Sequence, residues 1–82
     1  MKFSYNTQGT CARNITFDLE DGIVSNVSFQ GGCNGNLKGI AALTEGKKAE
    51  ELIELLSGIR CGFKSTSCPD QLAKALEKAL AE

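Results

Sequence analysis

Residues 11–30 read CARNITFDLEDGIVSNVSFQ, and their apolar side chains recur at every second position. That period belongs to strands half-buried on one face. Cys11, Arg13, Ile15, Phe17 and Leu19 share one side, and Asn14, Thr16, Asp18 and Glu20 share the other. Ile23, Ser25, Val27 and Phe29 share a side of the following strand, and Asp21-Gly22 between the two is a strong hairpin signal. A two-residue Asp21-Gly22 loop pairs Glu20 with Ile23 and mixes apolar with polar side chains on both faces. A three-residue loop over Glu20-Asp21-Gly22 pairs Leu19 with Ile23, Phe17 with Ser25 and Ile15 with Val27. A one-residue slip turns every side chain over, so the second register is the expected one. It sets Cys11 opposite Gly31, with Cys33 two residues further along the same face.

Upstream, Phe3 and Tyr5 mark a short first strand that ends at Asn6-Thr7-Gln8-Gly9. Downstream of residue 34 the period becomes 3.6. Asn34 or Asn36 caps a helix with Leu37, Ile40, Ala41 and Leu43/Thr44 inward, and Gly46 follows it in the C′ position. A second helix runs from about Lys48 to Ser57, with Ala49, Leu52, Ile53 and Leu56 inward. Gly58 closes it, and Ile59 is placed to contact its last turn. A third helix opens at Ser67-Cys68-Pro69-Asp70, a capping box with proline in the first turn, and buries Leu72, Ala73, Leu76, Ala79 and Leu80. The expected fold is α+β: a three-stranded antiparallel sheet followed by three helices packed on one face, a two-layer sandwich over residues 1–82 as one domain.

Composition narrows the function. A chain of 82 residues buries only about 60–65% of its unfolded surface, so its core is thin. Nine basic and ten acidic residues give a net charge of −1, no footprint for nucleic acid. No apolar run approaches a membrane span, and residues 1–6 have no signal-peptide character, so a cytoplasmic protein is expected. Histidine is absent, which excludes an imidazole-based hydrolase and any histidine-ligated metal. No catalytic residue is assigned.

Four cysteines are the compositional excess: Cys11, Cys33, Cys61 and Cys68. No two form a CxxC pair, so spacing alone favours core filler, then a metal site, then redox or disulfide chemistry. Position argues for a site. Cys33 precedes the first helix and Cys68 begins the third, where free N–H groups favour a thiolate. Four thiolates suit tetrahedral zinc or an iron–sulfur cluster. Gly31, Gly32, Asn34, Gly35 and Asn36, with Arg60, form a weak candidate contact for an anion or nucleotide, equally readable as a strand-to-helix bend. Lys64 lies in the same loop as Arg60 and reads as a solvated charge.

Thr66-Ser67-Cys68-Pro69-Asp70 spells the signature of the TSCPD domain, and the chain resembles that family nearly throughout. Thr10-Cys11-Ala12, Gly31-Gly32-Cys33-Asn34-Gly35-Asn36-Leu37 and Gly58-Ile59-Arg60-Cys61-Gly62 look like its other blocks. The domain occurs in that family as a small bacterial protein and at the C-terminus of adenosylcobalamin-dependent ribonucleotide reductases. The resemblance implies deoxyribonucleotide synthesis, an oxidoreductase setting, and a reductase or a nucleotide as partner. A chain of this length lacks the reductase barrel and is expected to be an accessory module. Val27–Cys33, a helix and Glu45-Gly46-Lys47 are also similar to a block of iron–sulfur cluster scaffold proteins. That second resemblance implies a redox or cluster-carrying protein using Cys33, Cys61 and Cys68.

Overall fold

Alternation and periodicity produce the expected elements in the expected order. The computed structural model describes residues 2–7, 12–31, 34–59 and 66–81, with backbone alone at Ala12 and residues 34–36. Strands β1 (Lys2–Asn6), β2 (Ala12–Glu20) and β3 (Ile23–Gly31) precede helices α1 (Asn34–Thr44), α2 (Ala49–Leu56) and α3 (Cys68–Ala81). The sheet is antiparallel in the order β1-β2-β3. Its inner face carries Ile15, Phe17, Val24 and Val27, all buried against Ala49 and Leu52 of α2 and Leu72 and Leu76 of α3. Phe3 lies opposite Phe17, with ring centroids 5.6 Å apart and stacked at 22°. The outer face is polar: Asn14 Nδ2 donates to Ser4 Oγ and Asn6 Oδ1, each at 3.0 Å. One face is therefore apolar and one wet, the arrangement of an α+β sandwich.

The hairpin register differs from the expected one. Glu20 pairs with Ile23 and Leu19 with Val24, so the loop is the two-residue Asp21-Gly22. Both loop residues have positive φ, 51° and 79°, as a type I′ turn requires. The mixing of faces is removed by a β-bulge. Between the Asp18–Ser25 and Thr16–Ser28 pairs, Phe17 stands opposite two residues, Asn26 and Val27. Asn26 has φ 53°, and the extra residue reverses the side-chain alternation. Val24 points inward before the bulge, and Val27 and Phe29 do so after it, in place of Ile23 and Ser25.

The bulge is held from two sides. Asn26 Nδ2 donates to Asp18 Oδ2 at 2.8 Å, and the Asn26 backbone N–H donates to Glu45 Oε1 at 2.9 Å. A second irregularity lies between Ala12 and Asn14, and it leaves Arg13 exposed rather than inward. Ala12 lies opposite Gly31, the place expected for Cys11. Cys11 itself is outside the described residues.

The α1–α2 connection covers the outer edge of β3 next to the turn. Gly46 N–H donates to Val24 O, Val24 N–H to Lys47 O and Ala49 N–H to Gly22 O, each at 2.8 Å. Gly46 takes φ 76°, as a residue ending a helix and reversing the chain must. Of the Leu43/Thr44 alternative, Thr44 takes the inward place, while Leu80 does not take the place expected for it. Thr44 is buried and returns its hydroxyl to Ala41 O at 3.0 Å, while Leu43 faces out. Leu80 and Ile59 are each 41% exposed, and Ala75 joins the α3 core stripe.

Candidate functional site

The signature pentapeptide builds the start of α3, and its polar side chains turn back into the protein. Ser67 is the N-cap: its Oγ accepts the Asp70 N–H at 3.1 Å, and its carbonyl accepts the Gln71 N–H at 2.8 Å. The same hydroxyl donates to Ile59 O at 2.6 Å, tying the cap to the chain after α2. Pro69 occupies the first turn, where no N–H partner is lost.

Asp70 does not make the reciprocal bond of a capping box. Its Oδ1 accepts the Gly58 N–H at 2.7 Å, and its Oδ2 accepts the Thr66 hydroxyl and lies 3.4 Å from Lys74 Nζ. Thr66 Oγ1 in turn accepts from Gln71 Nε2 at 3.0 Å. Thr66, Ser67, Asp70 and Gln71 are all buried. The Thr66 hydrogen bond, with help from the Gly58 N–H and the Lys74 charge, outweighs burial and holds the Asp70 carboxyl below its ordinary pKa. Among the described residues no buried polar side-chain atom is left unpaired. The cluster is thus a clamp between the α2 C-terminus and the α3 N-terminus. Its carboxylate is committed to protein donors.

Of the five signature residues, Thr66, Ser67 and Asp70 are accounted for by this clamp, and Pro69 by its place in the first turn of α3. The fifth, Cys68, is a free thiol, half-buried, at the first residue of α3. Asp70 is two residues away, but both of its carboxylate oxygens already accept from protein donors. The clamp also fixes Ile59 and Thr66, the two ends between which residues 60–65 run. Cys61, Arg60 and Lys64 belong to that segment and lie outside the described residues, as do Cys11, Cys33 and Gly32. Any gathering of the four sulfurs therefore lies outside what is described. Among the described residues no three metal-ligating side chains converge. Of the glycine-rich bend, Gly31 ends β3 with φ 83°, and α1 begins at Asn34 with Gly35 and Asn36 in its first turn.

Thr66, Asp70 and Gln71 carry roles that residue spacing does not assign. The available signal was the capping-box pattern, which locates Ser67 and Asp70 but says nothing of Gly58. A concavity of about 460 Å³ lies between β1 and α3 and is lined by Lys2, Phe3, Tyr5, Phe17 and Lys78. None of the expected site residues lines it. No helix is long and apolar enough to cross a membrane among the described residues.

The TSCPD domain model matches residues 2–80, nearly the whole chain. No curated protein and no solved structure matches it. The chain belongs to the TSCPD domain family.

Proposed function

We propose that this TSCPD-family chain is a non-catalytic accessory module of deoxyribonucleotide synthesis, with Cys11, Cys33, Cys61 and Cys68 holding a structural zinc. The observation that carries the reading is the clamp. Thr66, Ser67 and Asp70 spend their polar atoms on orienting one helix start, and the residue left at that start is a free thiol. The same clamp anchors both ends of the segment that bears Cys61. Cysteine sulfurs are the ligands a structural zinc prefers. A closed site of four sulfurs supplies folding energy and leaves no open position for substrate. The family's occurrence at the C-terminus of ribonucleotide reductases supports such an enzyme, or its nucleotide, as the partner, with Arg60 and the Gly31–Asn36 bend as its contact.

Metal analysis of freshly purified native protein tests the zinc site. One zinc per chain is expected, lost in Cys68→Ser and retained in Asp70→Asn. Stripping the metal with a chelator should lower the melting temperature, because a thin core depends on its staple. A brown protein with visible absorbance would replace zinc by an iron–sulfur cluster and bring back the cluster-carrying reading. A protein that carries no metal and melts unchanged with chelator would leave the cysteines as filler.

A further inference from the structure

Leu43 on α1 is 76% exposed and Leu55 on α2 is 63% exposed, the two most exposed large apolar side chains among the described residues. They are not scattered. Both border one groove of about 230 Å³ between the two helices, lined at its base by buried Thr44 and Leu52, with Ile40 and Leu56 beside them and Lys47 and Glu51 at its edge. Leu37 of α1 and Ala49 of α2, which do not line the groove, are already buried in the domain. A contiguous apolar surface rimmed by charge marks an interaction site, and isolated exposed leucines do not.

We propose that this face is the twofold interface of a homodimer, each copy placing its Leu43 and Leu55 against the α1–α2 groove of the other. An isologous interface needs one patch that complements itself in shape and in charge. This patch carries both the hollow and the protruding side chains that fill such a hollow. Its rim holds one cation, Lys47, and one anion, Glu51. A twofold axis sets Lys47 of each copy against Glu51 of the other, giving two opposite-sign contacts. A strongly acidic or basic partner would meet one matched and one like charge, so the rim favours a second copy. The inference uses no property of the cysteines and stands apart from the zinc reading.

Sedimentation equilibrium over low to high micromolar concentration tests it. The native chain is expected to move from monomer to dimer mass. Leu43→Ser and Leu55→Ser should each stay monomeric with unchanged circular dichroism, since neither side chain is in the core. Lys47→Glu alone, and Glu51→Lys alone, should each weaken the dimer roughly tenfold, because both rim contacts become like-charged. An equimolar mixture of these two single variants should dimerise as tightly as the native chain, because both contacts of the mixed pair again join opposite signs. That recovery does not occur if either change merely damages the fold. A native chain that stays monomeric throughout would overturn the proposal. So would a dimer that survives both leucine substitutions, which would place the contact elsewhere, for instance along the β1 edge.

Discussion

Asp70 is a carboxylate with only 4% of its surface exposed, and the strength of its clamp depends on pH. Its folded pKa is lowered, first by the Thr66 hydrogen bond, while the unfolded chain titrates near about 3.9. The clamp therefore contributes in full above that value. The contribution is lost as pH falls from there through the lower folded value. Urea titrations from neutral pH down to about pH 2 should show a stability drop across that window, and Asp70→Asn should remove part of it. At neutral pH Asp70→Asn should cost on the order of 2 kcal/mol, since an amide N–H₂ would face the Thr66 or Gly58 donor. Lys74→Ala should cost far less, because half of that side chain lies in water. Gly22 is a second residue whose identity is set by physics. Beyond its chain neighbours, no atom lies within 4 Å of where a Cβ would sit, so lack of room for a Cβ is not what selects glycine. Its φ of 79° remains, and Gly22→Val should cost about 1–3 kcal/mol in chemical unfolding, with Gly22→Asn costing less.

The β2–β3 hairpin shows how one residue governs an element. Asn26 at φ 53° reverses the inward and outward sides of β3, so that Val24 and Val27 both reach the core. Asn26→Gly keeps the backbone N–H to Glu45 and relieves the angle while losing the Asp18 contact, so its stability should stay within about 1 kcal/mol of native. Asn26→Val should cost about 1–3 kcal/mol more than Asn26→Gly in the same denaturant series. A straight two-residue alternation does not contain the bulge, which is why it favours the three-residue loop. The Asp21-Gly22 dipeptide is itself a strong type I′ signal, and here the local turn chemistry outweighs an uninterrupted pattern. At α3 the element boundary is legible from Ser67 and Pro69 alone. Ser67→Ala should cost about 1–2 kcal/mol, because one hydroxyl serves both the Asp70 N–H and the Ile59 carbonyl.

For the whole molecule, a chain of this length has a total stability of roughly 4–12 kcal/mol, so a single core side chain is a large share of it. Leu76 is fully buried between α3 and the sheet, and Leu76→Ala should cost about 2–5 kcal/mol by thermal or urea unfolding. Leu43→Ala, on the exposed groove, should change monomer stability by less than about 0.5 kcal/mol. The sequence by itself determined the kinds of element and their order, the glycine-marked ends at Gly22, Gly46 and Gly58, and the α+β class. Each of these depends on interactions within a few residues, as do the helix period, the strand alternation and the cap. The tertiary structure alone decided the place of the β3 bulge, the choice of Thr44 rather than Leu43 for the core, and the partner of Asp70. Asp70 takes the Gly58 N–H from twelve residues earlier, and Thr44 turns inward because the connection to α2 folds back along β3. Those outcomes depend on which distant segments meet, and no local preference carries that information. The same distinction governs the thiols: their number is written in the sequence, but whether four scattered cysteines form one site depends on contacts across the fold.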